Sequence, residues 1–191
     1  GLTPGVEATT GPLGQGFGNG VGMALGQRMV QARFPRLGRH LDGRVFGLVS
    51  DGDLMEGVAS EAASLAGHWG LGNLIYLYDD NRVSIEGSTT LAMSEDVGRR
   101  FEAYGWHVQH VDGHDPDAVD KALARAVAEE SRPSLIAART TIGKGAPTKE
   151  GTARAHGEPL GAEELNRAKE AAGWPLAPAF HVPEEARAYF H

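Results

Sequence analysis

Cysteine is absent from this 191-residue chain, which excludes disulfides and thiolate metal sites and permits a reducing compartment. Long apolar runs are absent too: nothing approaches the roughly 20 residues needed to cross a bilayer. No charged, apolar and small-residue succession of signal-peptide type follows Gly1. Basic charge is in deficit, with 18 Lys and Arg against 25 Asp and Glu for a net charge of −7, so no surface for nucleic acid or a membrane is expected. An anionic ligand would have to be met by local dipoles instead. The expectation is a soluble, cytoplasmic piece of something longer, with 41% hydrophobic residues, enough for one sizeable domain.

What is present is an alternation of apolar runs of strand length with longer segments of helical period. Strands are expected at 44–49, 74–78, 107–111 and 134–139, and helices at 19–34, 56–69, 94–104, 116–130 and 162–172. Val21, Leu25, Met29 and Val30 share one face of the first helix, and Val58, Ala62, Leu65, Ala66 and Trp69 one face of the second. Trp69 and Trp106 read as core. Such alternation implies an α/β fold, a three-layer open parallel sheet with helices on both faces. Beyond Thr141 a polar loop punctuated by Gly143, Gly145, Gly151 and Gly157 leads to a short helix and a tail with Pro175, Pro178 and Pro183, read as a linker or strap.

Two short turns stand out. Ser50, Asp51, Gly52 and Asp53 follow the first strand, and Asp79, Asp80 and Asn81 follow the second, so both belong at strand carboxyl ends, where open α/β sheets bind ligands. Asp51 and Asn81 would supply a carboxylate and an amide oxygen, hard donors suited to Mg²⁺ or Ca²⁺ on a diphosphate, beside a glycine that leaves space. An aspartate at a strand-to-helix turn is more often a cap, and the partner at Asn81 is what favours the ligand reading. The opening segment, with Gly11, Gly14, Gly16, Gly18 and Gly20 before a helix, admits two readings: close approach of backbone N–H groups to a ligand, or tight helix packing through Gly18, Gly22 and Gly26. The histidines at 68, 107, 110 and 114 lack metal-ligand spacing on a shared helix face and read as structural.

Read together, Gly11–Gln15, the turn from Ser50 to Gly57 with Ser60–Gly67 behind it, Asp79–Asn81, Thr141–Gly143 and Ala155–Leu160 resemble the diphosphate-binding domain of the transketolases. The resemblance covers nearly the whole chain, departing where such motifs begin with glycine and this chain has Ser50. It implies the thiamine diphosphate-binding fold as a partial domain. Residues 1–160 would form the diphosphate and metal portion, and 161–191 a helix and linker toward an absent pyrimidine-binding domain.

Position by position, it implies a divalent metal (Mg²⁺ or Ca²⁺) on Asp51, Asn81 and the main-chain carbonyl of Val83. Gly52 would meet the diphosphate, Gly11, Leu13 and Ile142 the cofactor's rings, and His156 the diphosphate and substrate oxygens, while Glu56 would couple two active sites across a homodimer. The implied activity moves a two-carbon ketol unit between sugar phosphates, with this segment inactive alone. A synthase of 1-deoxyxylulose 5-phosphate, or a non-catalytic binding or assembly module of the same fold, are the alternatives.

Overall fold

The computed structural model describes residues 3–36 and 42–190; the expectation that rested on Gly1 lies outside them. The elements run α1 (Gln15–Arg33), β1 (Val45–Ser50), α2 (Asp51–Met55), α3 (Gly57–His68), β2 (Leu74–Asp80), the two-residue strands β3 (Val83–Ser84) and β4 (Gly87–Ser88), α4 (Val97–Ala103), β5 (His107–Asp112), α5 (Pro116–Ala128), β6 (Ser134–Arg139), α6 (Ala162–Ala171) and α7 (Glu184–Phe190). They pack as two units. One comprises the described residues up to Ser84 together with Ser88–Thr140, and the other Ile85–Gly87 with the residues from Thr141 onward.

The first unit is built on a parallel sheet of order β1-β2-β6-β5. Right-handed crossovers determine which face each helix covers. From β1 to β2 and from β2 to β5 the chain steps in one direction along the sheet, which puts α2, α3 and α4 on the same face. The step from β5 back to β6 reverses direction, and α5 crosses on the other. Leu74, Tyr76 and Tyr78 of β2 and Leu135 and Ala137 of β6 accordingly join Phe17, Val21, Phe101 and Trp106 in the larger core, while Ile75 and Ile136 meet Ala122 and Ala126 of α5. The expected parallel sheet with helices on both faces is what the chain forms.

Tyr76 organises the larger core. Its ring stacks on Phe17 at 4.4 Å between centroids, and its hydroxyl donates to the Phe17 carbonyl at 2.7 Å. Space for it comes from two glycines: a Cβ at Gly47 would lie 2.2 Å from the Tyr76 ring, and one at Gly20 2.1 Å from its hydroxyl. Trp106 is buried as expected and donates to the Ala63 carbonyl at 2.8 Å. Other expectations need correction. α3 turns Ala59, Ala63 and Ala66 inward, leaving Val58, Leu65 and Trp69 more than two-fifths exposed, because a helix this close to the sheet has room only for small side chains on its inner face. In α1, Val21 is buried but Met29 and Val30 are exposed. Nothing lies within 4 Å of a Cβ placed at Gly18, Gly22 or Gly26, so among the described residues no helix packs closely against that stripe.

The second unit is a loop folded on itself, followed by α6 and α7. Glu164 of α6, almost fully buried, accepts from the Thr148 N–H at 2.6 Å, and the equally buried Lys149 donates from Nζ to the Pro159 carbonyl at 2.9 Å. The tail read only as a linker carries α7, which buries none of its residues in this chain. The Thr148 N–H, the leading cause, holds the Glu164 carboxyl below its ordinary value of 4.5. A depressed carboxyl supports the fold above its ordinary value and loses that support as pH falls through the folded one. Thr148 amide protection should therefore be constant above about pH 4.5 and decline below it. Hydrogen exchange checks this, and Glu164→Ala should accelerate Thr148 exchange roughly tenfold or more at neutral pH, as expected for a lost charge-assisted hydrogen bond.

Candidate functional site

Strand register brings the two acidic segments level, and Asp79 and Asp80, read as a turn, are the last two residues of β2. Ser50 at the end of β1 pairs with Asp79 of β2, and Asp80 with Arg139 of β6. From Ser50 the chain turns straight into α2, so what reads as a turn is a five-residue helix whose first residue is Asp51. The capping role falls to its neighbours. The Ser50 N–H and hydroxyl both donate to Asp53 Oδ2 at 3.0 Å, while the other Asp53 oxygen accepts from the Gly14 N–H at 3.1 Å. Asp53 thereby ties the glycine-rich opening to the strand end. Ser50 has φ −120°, ordinary extended backbone in which serine is unstrained.

Gly14 has φ 76°, and a Cβ there would meet the Glu56 Cβ at 2.8 Å, so glycine is required both for the turn and for its seat against Glu56. Leu13 reaches over the start of α2. Its methyl carbons lie 3.4 and 3.6 Å from where a Gly52 Cβ would be, and among the described residues nothing else outside α2 comes within 4 Å of that point. Leu13, Gly52 and Glu56 are thus brought together. Gly11 lies just upstream, and among the described residues nothing comes within 4 Å of a Cβ placed there.

Asp51 is 1% exposed, yet it is a carboxylate. Its Oδ1 accepts from the Tyr78 hydroxyl at 2.6 Å and its Oδ2 from the Arg82 N–H at 3.1 Å. Arg82 reaches that position in a left-handed conformation, φ 58°, a strain of about 1–2 kcal/mol for a residue with a side chain. The same bend aims the next amide, Val83 N–H, at Asn81 Oδ1, 2.9 Å away. One kink therefore binds Asp51, Asn81 and Val83 into a single feature. Burial pushes the Asp51 carboxyl above its ordinary value, against its hydrogen bond from Tyr78, and the Asp80 and Asp79 charges push the same way. Burial, then the bond to Asp51, raises the Tyr78 phenol as well.

These residues suit a divalent cation. A buried carboxylate with two further carboxylates nearby gains from a positive charge, and an amide oxygen and main-chain carbonyls beside it are the hard donors Mg²⁺ prefers. Among the described residues no three or more His, Asp or Glu side chains form a metal-holding group, so any such ion depends on this mixed donor set. Ile142 and His156 belong to the second unit. The Ile142 carbonyl accepts from the Gly151 N–H at 2.8 Å, and His156, exposed, ends a single 3₁₀ turn at Ala153–Ala155.

The family model for the thiamine diphosphate binding domain of transketolase matches residues 1–191. The chain belongs to the transketolase family. It is 54% identical over 187 residues to transketolase 2 of Xanthobacter flavus, covering 97% of this chain and 27% of that protein. It is 54% identical over 192 residues to the transketolase of Geobacillus stearothermophilus, covering 100% of this chain and 29% of that one. The crystal structure of transketolase from Campylobacter jejuni superposes with a TM-score of 0.91 at 46% identity, over 98% of this chain and 29% of the other. The solved structure of transketolase from Leishmania mexicana gives 0.93 at 43%, over 98% of this chain and 28% of the other. The chain thus spans under a third of the length of these transketolases.

Within this transketolase segment two residues of the site lie beyond the expected ligands. Asp53 has a local signal, the Ser-x-x-Asp pattern of a capping box at Ser50. Tyr78 has none, since its bond to Asp51 joins residues 27 positions apart.

Proposed function

We propose that this chain is the diphosphate- and metal-binding portion of a transketolase, acting within the whole protein to move a two-carbon ketol unit from a ketose phosphate to an aldose phosphate. The observation that carries this is the buried Asp51 carboxylate held by Tyr78 and Arg82 beside Asn81, at a strand end where Leu13 reaches over Gly52. Asp51, Asn81 and the Val83 carbonyl would hold Mg²⁺, with Ca²⁺ an acceptable substitute, and the remaining positions would go to diphosphate oxygens. Gly52 would present its N–H to the diphosphate. Bound thiamine diphosphate would supply the nucleophilic carbon that takes up the transferred unit.

The other roles are assigned from the family resemblance. Gly11, Leu13 and Ile142 would meet the cofactor's rings, His156 would lie near the diphosphate and substrate oxygens, and Glu56 would couple the paired sites of a homodimer. Residues 1–160 are assigned to diphosphate and metal binding and 161–191 to a helix and linker toward the pyrimidine-binding domain. Cytoplasmic work in the pentose phosphate pathway fits this activity. Among the described residues no helix is long and apolar enough to cross a membrane.

The experiment is ketol transfer by the whole protein that contains this chain, assayed with a ketose phosphate donor and an aldose phosphate acceptor, with and without thiamine diphosphate and Mg²⁺. Transfer that requires both supports the proposal. Metal-dependent cofactor binding with no transfer to any aldose phosphate overturns it in favour of a binding module.

A further inference from the structure

An asparagine amide has two ends of opposite character, and only its oxygen can bind a cation. In this chain both ends of Asn81 are engaged. Its Nδ2 donates to Asp79 Oδ2 at 3.0 Å, and its Oδ1 accepts from the Val83 N–H at 2.9 Å. The two contacts fix one orientation independently, because a carboxylate can only accept and a main-chain N–H can only donate. One lone pair of Oδ1 is thereby used and one is left for a ligand. Asp79 is itself held, since the Thr140 hydroxyl donates to its other oxygen. The adjacent carboxylate is occupied elsewhere, with Asp80 Oδ1 3.2 Å from Arg139 Nη1 and 3.7 Å from Arg82 Nε.

We propose that Asp79 is a positioning residue of the metal site: it captures the nitrogen end of the Asn81 amide and so turns the oxygen toward the metal, with Thr140 holding Asp79 in place. This rests on the assignment of Asn81 as a metal ligand. Partners one step behind the ligands generally fix ligand orientation and are worth 10–100-fold in metal affinity. Asp79 differs from an electrostatic attractor of the cation in one respect. An asparagine at position 79 could still accept from Asn81 Nδ2 through its own oxygen, while its amide donates to the Thr140 hydroxyl, so orientation survives loss of the charge.

The test is Mn²⁺ affinity measured by electron paramagnetic resonance on the whole protein with saturating thiamine diphosphate, with thermal melts confirming that each variant folds. Asp79→Ala should weaken Mn²⁺ binding by about 10–100-fold, Asp79→Asn should keep most of the affinity, and Thr140→Val should fall between them. Asp79→Ala binding as tightly as the parent, or Asp79→Asn losing as much as Asp79→Ala, overturns the proposal while leaving Asn81 a ligand. If Asn81→Ala itself binds Mn²⁺ like the parent, the ligand assignment beneath the proposal fails, and that result is distinguishable from the first two.

Discussion

Asp51→Asn raises the thermal midpoint of the metal-free protein at neutral pH and weakens metal-dependent thiamine diphosphate binding by about 100-fold or more. The two effects share a cause. Asp51 is a carboxylate with 1% exposure, and burial together with the Asp80 and Asp79 charges works against its ionised form. Asparagine has nearly the same shape. Its oxygen can accept from the Arg82 N–H while its amide donates to the Tyr78 hydroxyl, which accepts as readily as it donates. The substitution removes a buried charge and keeps one hydrogen bond to each neighbour, redirecting the Tyr78 hydroxyl proton, so the metal-free protein gains stability. Metal affinity falls because the charge of the ligand set governs how tightly a hard cation is held, and a direct ligand should count for at least as much as an outer partner. Differential scanning calorimetry and cofactor titration check the two halves separately. A variant that loses stability and keeps its metal would show Asp51 to be an ordinary structural carboxylate.

Gly67→Ala should destabilise the protein by about 3 kcal/mol, the upper end of ordinary overpacking costs, a fall of roughly 6–12 °C in melting temperature for a chain of this size. Propensity alone gives the opposite sign, since alanine inside a helix is worth up to about 1 kcal/mol over glycine. Sterics win at this position. A Cβ on Gly67 would lie 1.8 Å from the main-chain oxygen of Tyr104, an atom that no rotamer change can move, with Trp106 3.3 Å away. α3 would have to lift from the C-terminal end of α4. Gly22→Ala is the matching control: open space surrounds that position among the described residues, so alanine should stabilise by about 0.5–1 kcal/mol. Thermal melts of the pair decide whether backbone crowding or helix propensity governs these glycines.

The parts of the fold that could be read from the sequence are those whose local pattern agrees with their packing. β6 spans Ser134–Arg139 as expected, an apolar run set off by Pro133 before it. α1 begins at Gln15, four residues before the expected start at 19, because Phe17 and Gly20 gain more against Tyr76 than the glycines cost in propensity. The inward stripe of α3 does not follow from hydrophobicity alone, because burial in a helix pressed on a sheet depends on side-chain volume as well. Helix α2 is too short for any period to show.

The site divides in the same way. Asp51 and Gly52 open α2 and Asn81 follows β2, and these places at strand ends follow from the strand pattern. The strained Arg82 and the distant Tyr78, which hold them in register, owe their roles to contacts made only when β1 and β2 pair. Asp79 carried no distinct signal in sequence, since an acidic residue in a turn is usually solvated. Only the direction of the Asn81 amide gives it a task.

In the proposed site a metal joins the diphosphate to the end of β1 and the turn after β2. A crystal structure of the whole protein grown with thiamine diphosphate and Mn²⁺, with the metal located by anomalous scattering, tests this. A single strong peak is expected about 2.1 Å from an Asp51 carboxylate oxygen, Asn81 Oδ1 and the Val83 carbonyl, the distance for a small hard cation. A peak elsewhere, or one at which Asn81 presents its nitrogen, would contradict it.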